Sequence, residues 1–252
     1  MKNNFFCKNQ FITIYENPYE GSLVSSQILY GEKFKILSRN KDWLKIKTSF
    51  DNYVGYIKSS NYEDNFIPKY KIFKIKAKIF KKPILKKINE TTKFLTFSSK
   101  ISSIRETLKF VEYEENKWIK KNDIKKIDHI EKNYLKIFKS FLKTKYVWGQ
   151  KNYRGIDCSA ILQLYFYYNG KFYPRDTKDQ IKYSKKIKKK KQFKKGDIIF
   201  WKGHVAICLN SKELIHAYGP KKKVLIMPIE NTIKKIQETA KLQIKKISNI
   251  NS

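Results

Sequence analysis

The sequence predicts an α+β fold in which a helix bearing a cysteine packs on an antiparallel sheet bearing two histidines, with one or two small β-barrels ahead of it. Three observations predict it. An apolar run behind Cys158 (Ile161, Leu162, Leu164, Tyr165, Phe166, Tyr168) ends at Asn169-Gly170, a helix stop signal. Short β-branched or aromatic runs follow downstream, two of them carrying His204 and His216, and they are separated by Gly, Asn, Ser and Lys. The N-terminal region repeats short alternating runs punctuated by glycine, the pattern of small all-β bodies.

Taken in order, residues 11–15, 26–30, 33–37, 43–48 and 53–58 read as strands, with Gly31 and Gly55 as punctuation, and give a first barrel over residues 1–64. A weaker version spans about residues 70–127, where the run 117–124 resembles the closing strand of the first; residues 65–127 are a possible second barrel or a strand-rich spacer. Residues 128–252 form the remaining domain. Ile130, Tyr134, Ile137, Phe138 and Phe141 recur at helical spacing, and Asp157 is placed to cap the helix that begins at Cys158. Runs 198–201, 205–209, 214–218 and 224–229 read as a meander, with a hairpin through Asn210-Ser211-Lys212-Glu213 bringing the two histidines together. After Asn231 two readings stay open, an amphipathic helix or a helix followed by a closing strand.

A chain of 252 residues with 41% hydrophobic and 15% aromatic residues is core-forming, which excludes a disordered class. Its formal charge of +34 raises polyanions as partners. The lysines are spread along the chain, although runs at 185–191 and 221–223 are suited to phosphates, and no zinc-ligand spacing, phosphate loop or RNA-binding signature accompanies them. No nucleic-acid partner is therefore expected, and a polyanion-binding module is the second reading. Three cysteines give no disulfide framework: Cys208 reads as buried, Cys7 as a tail residue, and Cys158 as reactive. No apolar stretch of signal-peptide length opens the chain, and no run approaches the roughly 18 residues a membrane span needs, so the expected location is cytoplasmic.

Cys158, His204 and His216 supply a nucleophile, a base and an orienting group, in that order along the chain. A thiol is mostly protonated at neutral pH, its ordinary pKa being about 8.5. In the first turn of a helix it meets orphan N–H groups and the positive end of the macrodipole, so a lowered pKa and a thiolate–imidazolium pair with His204 are expected. His216 would hold the His204 ring in the useful tautomer. No metal or organic cofactor is required.

Five elements, running from about Tyr134 to Ile229, resemble the NlpC/P60 family of cysteine peptidases. They are Tyr146-Val147-Trp148-Gly149; Gly155-Ile156-Asp157-Cys158-Ser159; Pro174-Arg175-Asp176-Thr177 with Gln180; the stretch from Lys195-Gly196-Asp197 to Gly203-His204-Val205-Ala206; and Leu214-Ile215-His216-Ala217. Two positions depart from the family pattern: Ala160 stands where Gly is usual, and Gln150 where a second Gly is common, so Gln150 is placed to narrow the cleft or meet substrate. The N-terminal runs resemble bacterial SH3 modules. The resemblance implies a papain-like NlpC/P60 domain behind one or two SH3-like barrels, and hydrolysis of the γ-D-glutamyl to diamino acid bond of free murein peptides. It implies Tyr146, twelve residues before Cys158, as an oxyanion donor, with Asp157, Ser159, Tyr53 and Glu32 on the substrate. Arg175 is open between pairing with Asp176 and meeting a substrate carboxylate. A catalytically silent wall-peptide binder is a third reading, against which the intact Cys158, His204 and His216 set speaks.

Overall fold

The computed structural model describes residues 4–187 and 192–251, so Lys188 to Lys191 of the longest lysine run lie outside the described residues. It divides into two units, Met1–Glu131 and Lys132–Ser252. The N-terminal unit contains two bodies of antiparallel strands. The first is a seven-stranded sheet that includes Phe11–Tyr15, Val24–Leu29, Lys33–Asn40, Trp43–Thr48 and Val54–Lys58. Alternation along Phe11–Tyr15 and Trp43–Thr48 turns Ile12, Ile14, Leu44 and Ile46 inward onto Ile28, Phe34 and Ile57. Cys7 joins this cluster, fully buried on the strand Asn4–Cys7, which corrects its reading as a tail residue.

The second body has a five-stranded sheet and a three-stranded one, over residues 70–126, around Ile72, Ile79, Leu95, Ile101, Val111, Ile119 and Ile124. Tyr30 of the first body also packs into this cluster. Gly31 permits that approach: its φ is +71°, and a Cβ there would sit 2.2 Å from the Lys100 carbonyl oxygen.

In the C-terminal unit, α1 (Tyr134–Ser140) starts four residues later than the periodicity suggests. Asn133 caps it through the Lys136 N–H at 3.3 Å, and Ile130 is left half exposed ahead of the helix. The helix α2 (Cys158–Tyr168) agrees with its sequence signals at both ends: the Asp157 side chain accepts the Ala160 N–H at 2.8 Å, and Gly170 takes a φ of +68° past the Asn169 cap. Ile161, Leu162 and Leu164 of α2 are buried, each worth about 1.5–3 kcal/mol against exposure. A short helix α3 (Thr177–Tyr183) follows.

The sheet is formed by β1 (Asp197–Trp201), β2 (His204–Cys208), β3 (Glu213–Tyr218), β4 (Lys223–Pro228) and β5 (Lys246–Asn249), in the order β4-β3-β2-β1-β5 with every pairing antiparallel. Helix α4 (Ile229–Ala240) leaves β4 and packs Ile229 and Ile236 on the sheet. Of the two readings for the C-terminal stretch, a helix followed by a closing strand is the one adopted. Helix α2 lies against β2 and β3, which places the cysteine-bearing end beside both histidine-bearing strands. Among the described residues, no helix is long and apolar enough to cross a membrane.

Candidate active site

Cys158 is the first residue of α2 and is 2% exposed. Its Sγ lies 3.8 Å from the carbonyl oxygen of Gly203 and is also hydrogen-bonded by the Val205 backbone and the Thr177 side chain. The backbone on both sides of His204 therefore touches the thiol. The tight turn through Gly203, with φ +77°, closes the β1–β2 hairpin and pairs Trp201 with His204. Nε2 of His204 is 2.9 Å from Nδ1 of His216, so the ring nitrogen left for the thiol is Nδ1. His216 is fully buried on β3, stacked on Tyr218 at 4.6 Å and 9°, and its Nε2 lies 3.3 Å from Sδ of Met227. The geometry thus brings together the three residues that the sequence singles out as nucleophile, base and orienter.

The resting charge state differs from the sequence expectation. Burial pushes the Cys158 thiol up to about 12, and the neighbouring Asp157 carboxylate adds to the rise; the Val205 and Thr177 hydrogen bonds and Arg175 only partly offset it. Burial lowers His204 to about 4, and burial together with His204 lowers His216 further, to about 2. Helix position alone suggested a thiolate; desolvation outweighs it, and the resting pair is a neutral thiol facing a neutral imidazole.

Ahead of the thiol, a polar lock fixes the start of α2. Asp157 Oδ1 accepts from the Ala160 N–H at 2.8 Å, the Ser159 hydroxyl at 3.1 Å and Arg175 Nη1 at 3.0 Å. Its Oδ2 accepts from the Gly149 N–H at 2.9 Å and Arg175 Nη2 at 2.6 Å. Arg175 Nη1 also donates to Ser159 Oγ at 2.9 Å, and the Arg175 side chain is 1% exposed. Asp157, Ser159 and Arg175, nominated as substrate contacts, bond to one another, and Arg175 makes a bidentate pair with Asp157.

Tyr146 is half buried, with its backbone N–H donating to the Lys222 carbonyl at 2.9 Å and its ring against Gly219. Burial, with Cys158 and Asp157 close by, raises its pKa above the ordinary phenol value, so it remains a hydrogen-bond donor. Trp148 beside it is exposed. Gln150 lies over Gly155, where a Cβ would come within 2.6 Å of its Oε1, and among the described residues that buried oxygen has no hydrogen-bond partner. In the N-terminal unit, Glu32 is 1% exposed and its Oε2 accepts the Leu29 N–H at 2.9 Å, so the carboxylate is engaged in its own turn. Tyr53 packs on the core of its own sheet and its hydroxyl donates to the Ser25 carbonyl at 3.5 Å.

Thr177, Tyr218 and Met227 are parts of this site that sequence reasoning passed over as functional. Thr177 stood in a quoted motif without a role. Nothing in the local sequence marks Met227, since its contact with His216 depends on pairing between strands. Among the described residues, no cluster of three His, Cys, Asp or Glu side chains is arranged to hold a metal.

Residues 143–242 match the NlpC/P60 family, and residues 14–61 match the bacterial dipeptidyl-peptidase Sh3 domain. The chain is 24% identical over 231 residues to Dipeptidyl-peptidase 6 of Lysinibacillus sphaericus, covering 81% of this chain and 83% of that one. It is 33% identical over 90 residues to the probable endopeptidase NlpC homolog of Haemophilus influenzae, spanning 34% of this chain and about half (49%) of that relative. The crystal structure of an NlpC/P60 family protein from Bacillus cereus shares the fold, with a TM-score of 0.83 at 18% identity over 98% of this chain and 99% of that one. This chain is accordingly a cysteine peptidase that carries an NlpC/P60 domain over residues 143–242 behind a bacterial dipeptidyl-peptidase Sh3 domain over residues 14–61.

Proposed function

We propose that this peptidase hydrolyses the γ-D-glutamyl to diamino acid bond of murein peptides, L-Ala-γ-D-Glu-diaminopimelate or its lysine counterpart, in the recycling of cell-wall peptides. The observation that carries the reading is the His204–His216 contact of 2.9 Å beside a thiol held by the backbone on both sides of His204. The matches to the dipeptidyl-peptidase Sh3 domain and to Dipeptidyl-peptidase 6 support the choice of bond.

In this reading the thiol proton passes to Nδ1 of His204 as the sulfur attacks the γ-glutamyl carbonyl, so charge separates only when substrate is in place. The protonated Tyr146 phenol and the Cys158 backbone N–H, an orphan donor of the first helical turn, hold the developing oxyanion. The imidazolium of His204 then protonates the departing diamino acid amine, leaving a thioester. Water attacks that thioester with His204 again accepting a proton, and L-Ala-D-Glu leaves with the thiol restored. The Asp157, Ser159 and Arg175 lock keeps the helix start fixed through these steps.

Incubation of the purified protein with L-Ala-γ-D-Glu-diaminopimelate, beside Cys158→Ala, with product analysis by mass spectrometry tests the proposal. Release of L-Ala-D-Glu by the parent protein alone is the expected result. Intact peptide with both proteins, for the diaminopimelate and the lysine forms, overturns the choice of bond.

A further inference from the structure

We propose that Met227 is a positioning residue whose sulfur sets the tautomers of both histidines; the inference rests on the catalytic reading of Cys158 and His204 above. Nε2 of His216 faces Sδ of Met227 at 3.3 Å, within the range of an N–H to sulfur hydrogen bond. A thioether has lone pairs and no proton to give, so the contact is attractive only if Nε2 of His216 carries the hydrogen. A neutral imidazole has one N–H, which leaves Nδ1 of His216 as an acceptor. That nitrogen lies 2.9 Å from Nε2 of His204, so His204 must place its own hydrogen on Nε2. Nδ1 of His204 is then the bare lone pair, and the chain neighbours of His204, Gly203 and Val205, touch the thiol. The chain of dependence runs from sulfur to His216 to His204 to the reacting thiol.

The neutral state that this logic needs is the one burial enforces, because neither ring is protonated at neutral pH. The strand register supplies the geometry. Leu214 pairs with Met227 and His216 with Leu225, so Met227 sits diagonal to His216 on the same face of the β3–β4 ladder. Stacking on Tyr218 holds the His216 ring plane but does not distinguish its two nitrogens. The sulfur does distinguish them, and it does so without introducing a charge that would make His216 an imidazolium.

The test compares the parent protein with Met227→Leu, which keeps the volume and removes the acceptor, and Met227→Gln, whose amide oxygen restores one. Ring nitrogen shifts from 15N–1H correlation spectra identify the tautomer of His216. The rate of Cys158 alkylation by iodoacetamide reports proton removal by His204 without any murein peptide. The expected result is an Nε2–H tautomer in the parent, a shift toward Nδ1–H with alkylation slowed about fivefold to tenfold in Met227→Leu, and recovery of both in Met227→Gln. A His216 protonated on Nδ1 in the parent overturns the proposal, as does a Met227→Leu protein that keeps both tautomer and rate. If Met227→Leu fails to fold, the parent spectrum and Met227→Gln still decide. Failure of the substrate assignment alone leaves these readouts unchanged.

Discussion

Arg175 grips the carboxylate of Asp157 through two parallel hydrogen bonds of 3.0 and 2.6 Å, immediately ahead of the reactive thiol. The pair is buried, and the same carboxylate caps α2, so an ion pair and a helix terminus are one structure.

Removing one partner strands the other charge. Arg175→Ala is expected to cost about 3–5 kcal/mol, while Arg175→Lys, which keeps the charge and loses the fork, costs less but displaces the start of α2. Denaturant melts measure the first. A fall in kcat larger than any change in KM in Arg175→Lys measures the second.

Tyr146→Phe removes a donor that burial keeps protonated. A loss of about 10²-fold in kcat is expected, with KM and stability little altered, as for removal of one oxyanion donor. Steady-state kinetics on a chromogenic γ-glutamyl substrate check it, and an unchanged kcat assigns the hydroxyl a packing role.

The neutral resting pair has a signature in pH. With His204 accepting the thiol proton, alkylation of Cys158 by iodoacetamide should be flat across neutral pH; in His204→Ala, where burial still raises the thiol and no ring takes its proton, the rate should climb steadily from pH 6 to 10. Stopped samples analysed by mass spectrometry at each pH separate the two.

Acid stability follows from the same burial. Both histidines have folded pKa values below the ordinary 6.5, so the unfolded chain binds protons first as pH falls. Their contribution is full above about pH 6.5 and is lost progressively toward pH 4. Thermal melts should show this loss, and His216→Asn should flatten it.

Much of this was legible in the sequence, for reasons that differ by residue. Helix α2 announces itself because Asp157, the apolar run and Asn169-Gly170 are local signals, each acting within one turn. The meander was readable from its β-branched runs, and β2 and β3 carry the two histidines where expected. The late start of α1 was not readable, since Ile130 fits the helical period yet Asn133 offers the cap. The partner of Arg175 and the neutrality of Cys158 were also out of reach. Both depend on which groups share a buried volume, and sequence adjacency favoured Asp176 and the helix terminus instead. Cys7 misled for the same reason, because a position near the N-terminus gives no hint of the core that encloses it.

The strand β5 pairs with β1 from Asp197↔Asn249 to Phe200↔Lys246, on the side away from β2. Consider the order in which a ribosome delivers these parts. The nucleophile emerges first and both histidines follow, yet the strand that leads to His204 keeps an open edge until residues 246–249 have been made. The sheet that carries both histidines is therefore completed by residues far along the chain from the nucleophile, and the backing of β1 waits on them.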